Sequence, residues 1–140
     1  MSWAVRFIHD GRELVSRFPS GKALLPVSTR CGAQMVLGRW GRRPGETGVL
    51  PLGGWAHRTH LQADVWAPYA PRSALLPVVG FAERDVTGRE RWFEVTRGTY
   101  IQGVVARVDR ECRIYIVTLD CAPDETEFER WPRLVTWVPR

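Results

Sequence analysis

The chain has 140 residues, 44% of them hydrophobic, and a formal net charge of +5; that length suits one domain spanning residues 1–140, able to bury about two thirds of its unfolded surface. Its cysteines, Cys31, Cys112 and Cys121, are odd in number and form no CxxC pair, which argues against a secreted disulfide framework and against a zinc site. No charged-then-apolar leader and no apolar run near the roughly 18 residues of a membrane span is visible, so the expectation is a cytoplasmic protein with no membrane partner.

Trp3-Ala4-Val5-Arg6-Phe7-Ile8 predicts a first strand and His9-Asp10-Gly11 a turn. A short amphipathic piece follows through Leu14, Val15 and Phe18, up to the break at Pro19-Ser20-Gly21. Pro26 cannot donate to a ladder, which marks 23–27 as an edge or terminal strand. A second strand over 33–37 runs into Gly38-Arg39-Trp40-Gly41, and the Pro- and Gly-bearing stretch from Arg42 to Gly54 predicts a surface loop. Between Trp55 and Pro71, His57, His60 and Asp64 would share one face of a helix at i, i+3 and i+7, a spacing that suits a metal. It lacks the HExxH carboxylate, so surface histidines on an Arg-bearing helix are the preferred reading and no metal or cofactor is expected.

The stretch from Ala74 to Thr96 organises the rest. The apolar run Leu75 to Val79 enters a Gly80-Phe81 corner and delivers a carboxylate at Glu83. It then crosses the polar turn Thr87-Gly88-Arg89 and returns as the strand Trp92 to Thr96. This pattern predicts a β-hairpin with an acid held at its bend. Residues 99–108 and 112–119 predict two further strands, forming an antiparallel meander with 92–96. Acids clustered after Pro123 predict a helix over 123–130, stopped by Trp131-Pro132, before a closing strand over 134–138. No repeat or linker marks a second domain.

Nineteen of the twenty basic residues are Arg, and there are seven Trp. Arg offers a planar fork suited to phosphate and stacks on bases, so a nucleic-acid partner is compatible with this composition. A GC-rich genome produces the same bias, and the charges are spread along the chain. Ser2 is small enough for Met1 to be removed, which would leave an α-amine with a pKa near ~8, partly neutral and nucleophilic at physiological pH.

Three segments, Arg39-Trp40-Gly41, Leu76 to Glu83, and Ile114 to Pro132 with its Arg130-Trp131-Pro132 ending, together point to one family. In order and spacing they resemble the SOS-response-associated peptidases, abasic-site shields of the DNA damage response related to the embryonic-stem-cell-specific hydroxymethylcytosine-binding protein. In that family an Arg-Trp-Gly segment precedes Asn-Ala-Arg. A Val-Pro-Ala-Asp-Gly-Phe-Tyr-Glu-Trp hairpin follows, then a strand ending in a Thr pair and a His-x-Arg-Met-Pro turn. The match covers most of the chain from Arg39 onward, and the shortness of the chain suits a phage or mobile-element member.

The resemblance implies an α+β, mostly β fold: an irregular antiparallel sheet or barrel-like domain with a few short helices and a positively charged groove for single-stranded DNA. In the family, the second-position Cys joins an abasic aldehyde through its amine and thiol in a thiazolidine ring, assisted by a Glu, an Asn and a His. Here Glu83 matches the Glu and would shuttle protons as a partly buried acid. Ser2 replaces the Cys, Ala56-His57-Arg58 stands where the family has Asn-Ala-Arg, Val117-Thr118 stands for the Thr pair, and Phe128 replaces the His. Because a Ser hydroxyl does not ionise near neutral pH, crosslinking and autopeptidase chemistry are expected to be lost or weakened. The implied protein is a pseudoenzyme with Ser2 and Glu83 as its remaining catalytic candidates. Arg39, Arg58 and Arg130 would contact phosphates of single-stranded or abasic DNA, and Trp40 would stack on or wedge a base. One alternative is a non-catalytic protein-interaction module on the same fold, anchored by exposed Trp55, Trp66 or Trp137. Another keeps an enzyme in which the Ser2 amine and Glu83 catalyse β-elimination at abasic sites through an imine.

Overall fold

A computed structural model describes residues 2–20, 22–28, 34–120 and 130–136, with Ser2 and Arg130 as backbone. Ser2–His9 (β1) returns as Arg12–Arg17 (β2) through Asp10 and Gly11, at φ 51° and 74°. Two successive positive φ angles make the turn whose twist matches the strands it joins, and Asp-Gly adopts it readily. The amphipathic piece is therefore the second strand of a hairpin. Leu24–Ser28 (β3) and Met35–Arg39 (β4) pair antiparallel as a separate ribbon.

The helix expected to carry His57, His60 and Asp64 on one face does not form as such. Trp55–His57 is a strand (β5), Arg58–Gln62 a single helical turn (α1) capped by the His57 side chain, and Asp64 lies outside it at φ 58°. Among the described residues no metal-ligating cluster exists. A 3₁₀ turn over Ala67–Tyr69 leads to Arg72–Leu76 (β6).

Gly80–Arg84 (β7) and Glu90–Glu94 (β8) form the expected hairpin, with Gly88 at φ 83° and the Asp85 carboxylate accepting from the amides of Thr87 and Arg89. Glu83 is within the strand, opposite Arg91, and not at the bend. This hairpin joins the first to give a four-stranded sheet in the order β2-β1-β7-β8. Thr99–Val108 (β9) and Glu111–Asp120 (β10) are the two long strands of the other sheet. The meander expectation is corrected here, because β8 pairs with β7 while β9 pairs with β6, β10 and a C-terminal strand. The chain changes sheets twice at adjacent points. Val79 donates to Arg6 O at 2.8 Å and accepts from Val95 N at 3.0 Å, which ties the two crossings together.

Arg130–Pro132 (β11) pairs with β10, and after Arg133 the chain shifts so that Leu134–Thr136 (β12) pairs with β9. The expected helix over 123–130 falls outside the described residues except for Arg130, which is strand; the closing strand is described as far as Thr136. On its other edge β10 pairs in parallel with β5, from Ile116↔Trp55 to Thr118↔His57.

The pairing strands β9 and β10 bury both faces, so their alternation sorts two cores. Ile101, Ile114 and Ile116 face the four-stranded sheet and pack with Val5, Phe7, Phe18, Trp40 and Phe81. Val104, Ala106, Tyr115 and Val117 face the other way, under Leu50 and Trp66. The fold is mostly β, with antiparallel sheets and short helical turns. Among the described residues no helix is long and apolar enough to cross a membrane.

Candidate functional site

The N-terminal end of β1 is where the candidate catalytic positions meet. Across the β1–β7 ladder Ser2 is the register partner of Glu83, and Ala4 of Ala82, so Trp3 is one extra residue, a β-bulge. The strand pairing therefore brings together two positions separated by most of the chain. Glu83 follows Phe81 at the strand period and faces the interior, where it is 0% exposed. A fully buried Glu is uncommon in a fold unless something polar holds it.

Thr118, on β10 of the other sheet, is a second buried polar residue. It continues the Ile114, Ile116 alternation toward the four-stranded sheet, is 0% exposed, and its Oγ1 has no hydrogen-bond partner among the described residues. Its antiparallel register partner is Pro132, and the neighbouring Trp131 packs edge-on against Phe81 and Phe93, with centroids 5.2 and 4.8 Å apart. Its parallel partner is His57, whose Nε2 lies 3.1 Å from Asp120 Oδ1 and whose Nδ1 lies 2.7 Å from Thr59 Oγ1. Strand pairing thus sets Ser2 opposite Glu83 on one sheet, and Thr118 beside a carboxylate-held His57 on the other. In the sequence His57 reads as a surface histidine or a weak metal candidate, and nothing local links it to Asp120.

The expected DNA contacts fare differently. Trp40 is corrected to a core residue: it is 0% exposed, its Nε1 donates to Gly54 O at 3.0 Å, and Phe18 and Trp55 pack on its ring. A Cβ on Gly54 would sit 2.7 Å from that Nε1, so the glycine leaves room for the indole. No base reaches a side chain so enclosed. Arg39 is exposed at the end of β4 and pairs with Glu46 at 2.6 Å. Arg58 is exposed on α1, and Arg130 is placed by its backbone opposite Asp120 on β11. The anchors of a protein-interaction module are corrected as well. Trp66 is 6% exposed, Trp55 is packed against Phe18 and Trp40, and Trp137 lies outside the described residues.

Arg42 and Arg43, expected on a surface loop, are turned inward. Arg42 donates to Glu46 O and Leu50 O, Arg43 to Ser20 O and the Glu46 carboxylate, and buried Arg113 to Glu111, Gly41 O and Thr47 O. The Arg43 amide, and then the Arg43 and Arg113 guanidiniums, hold the Glu46 carboxyl below its ordinary range despite some burial. Burial opposes ionisation of Glu111, yet the Val49 and Leu50 amides and Arg113 outweigh it and lower its pKa. Burial pushes the Tyr115 hydroxyl well above its usual range; it donates to Pro51 O at 2.6 Å. These groups hold the 42–54 segment onto β10 and are not a groove.

An apolar cleft of about 400 Å³ between Ile8, Met35, Val78, Val95 and Tyr100 opens at the opposite end of β1 from Ser2. No protein-family model, curated protein or solved structure matches this chain.

Proposed function

We propose that this chain binds single-stranded DNA, abasic sites included, at the Ser2–Glu83 end of its two sheets, as a weakened relative of the SOS-response-associated peptidases. The observation that supports this most is the register that sets Ser2 opposite a fully buried Glu83. Sequence order alone aligns these two residues with the family pair, and the strand pairing is independent of that alignment. With Met1 removed, the Ser2 amine would condense with the abasic aldehyde, releasing water and leaving an imine, while Glu83 moves the proton. Lacking a thiol, the chain cannot close a thiazolidine ring, so any adduct is transient. Arg39, Arg58 and Arg130 supply phosphate contacts on this reading.

The test combines intact mass, to establish whether Ser2 is the first residue, with borohydride trapping on an abasic single-stranded oligonucleotide and a mobility shift run beside it. A trapped adduct that disappears in Glu83→Gln supports imine chemistry. A salt-sensitive shift without an adduct supports a DNA-binding pseudoenzyme. Absence of both signals at low salt overturns the reading, and an affinity unchanged in the double variant Arg39→Ala, Arg58→Ala removes those two arginines from it.

A further inference from the structure

The bulge that sets Ser2 against Glu83 also moves Trp3. By strand alternation Trp3 would face inward beside Val5, but the extra residue shifts it to the outward side, where Arg17 and Arg84 lie. Both guanidinium carbons sit over its ring, at 4.6 and 4.7 Å from the centroid. Trp3 belongs to neither hydrophobic core, and its Nε1 has no hydrogen-bond partner among the described residues.

A second Arg–Trp stack on the same sheet provides an internal control. Arg6 lies 5.5 Å over Trp92 and pairs with both Glu13 at 3.0 Å and Glu94 at 2.7 Å, so its charge is more than matched. At Trp3 the balance is reversed: among the described residues Glu90 pairs with Arg17 at 3.1 Å and no acid pairs with Arg84. These two guanidiniums lie at the Ser2 end of β1, on the face of the sheet opposite to buried Glu83.

We propose that Arg17 and Arg84, held by Trp3, form a phosphate clamp for a phosphodiester beside the nucleotide that reaches Ser2. An indole platform orients guanidiniums at little desolvation cost and leaves their N–H edges for phosphate oxygens. Glu90 competes with the phosphate for Arg17. The proposal rests on the DNA-binding reading above and adds residues to it that the family resemblance did not supply.

The test is the salt dependence of binding to a single-stranded oligothymidylate by fluorescence anisotropy. Each phosphate contact on single strands contributes about 0.7 to the slope of log K against log salt. The double variant Arg17→Ala, Arg84→Ala is expected to lower that slope by about 0.7 to 1.4, and Glu90→Gln to tighten binding several-fold by freeing Arg17. Wild-type binding with an unchanged slope in the double variant and no gain in Glu90→Gln overturns the clamp while leaving the DNA reading intact. No wild-type binding at low salt overturns both. Thermal melts of the variants separate lost contacts from lost fold.

Discussion

Around Glu46 and Glu111, three arginines are turned into the fold; around Trp3, two guanidiniums lie over an indole at the surface. Nothing in the type of residue distinguishes the two groups. Arg42, Arg43 and Arg113 donate to backbone carbonyls and to two carboxylates whose pKa values are lowered, so most of their N–H groups are engaged inside the fold. Arg17 and Arg84 lie over an aromatic face, and among the described residues only Arg17 pairs with an acid, Glu90. A count of basic residues is therefore a poor guide to a nucleic-acid surface. What matters is which guanidiniums the fold has already engaged with its own carbonyls and carboxylates.

The comparison breaks most sharply at the tryptophans. Trp40→Ala should cost about 3–5 kcal/mol of stability in urea unfolding, as loss of a buried aromatic does, and, on the DNA-binding reading, Trp40→Phe should leave affinity for an oligonucleotide unchanged. A Trp40→Phe variant that stays folded but loses DNA binding would overturn its assignment to the core. Arg113→Met should destabilise by about 3 kcal/mol, because it leaves two partly buried carboxylates without their shared cation. A loss below about 1 kcal/mol would mean that the internal network contributes little to holding the 42–54 segment.

The acids sharpen the same contrast. Glu46 and Glu111 have lower pKa values folded than unfolded, so their contribution to stability is present above the unfolded carboxyl range, near pH ~4.3, and is lost as pH falls through the folded values. Glu46→Gln should therefore flatten the acid limb of stability against pH, measured by chemical denaturation between pH 3 and 6. An unchanged acid limb would place the acid sensitivity elsewhere. The smallest effect is expected for Arg39→Ala: its ion pair with Glu46 has an arginine that is 58% exposed, and exposed pairs contribute about 0.2–1 kcal/mol. If the DNA reading holds, its salt slope should fall while its stability changes by less than about 1 kcal/mol.

Much of the β character was legible locally. Strands β1, β9 and β10 and the hairpin at Gly88 follow from alternation, β-branched content and turn residues, and the structure places them close to where the patterns did. Partner choice was not legible. Strand β8 alternates as well as any, but alternation says only that one face is buried and not which strand lies alongside; the crossings at Pro77–Val79 and Thr96–Thr99 settle that by tying both corners to Arg6 and Val79. The histidine spacing misled because a period of three or four is informative only if the helix exists, and Trp55–His57 pairs with β10 instead. In the candidate site, Glu83 was found through its motif. Thr118, the His57–Asp120 pair and the Trp3 stack depend on contacts between residues many positions apart.

By itself the sequence determined which segments extend and where they turn, because dihedral preference and side-chain alternation act over a few neighbouring residues. It also supplied the acid at Glu83 and the small residue at position 2. Only the tertiary structure decided that Trp40 is core while Trp3 lies under two guanidiniums, and that Arg113 is paired inside while Arg84 lies over an indole. Burial and charge pairing are properties of the whole packed chain, and one extra residue in the β1–β7 ladder is enough to move a side chain from one face of a sheet to the other.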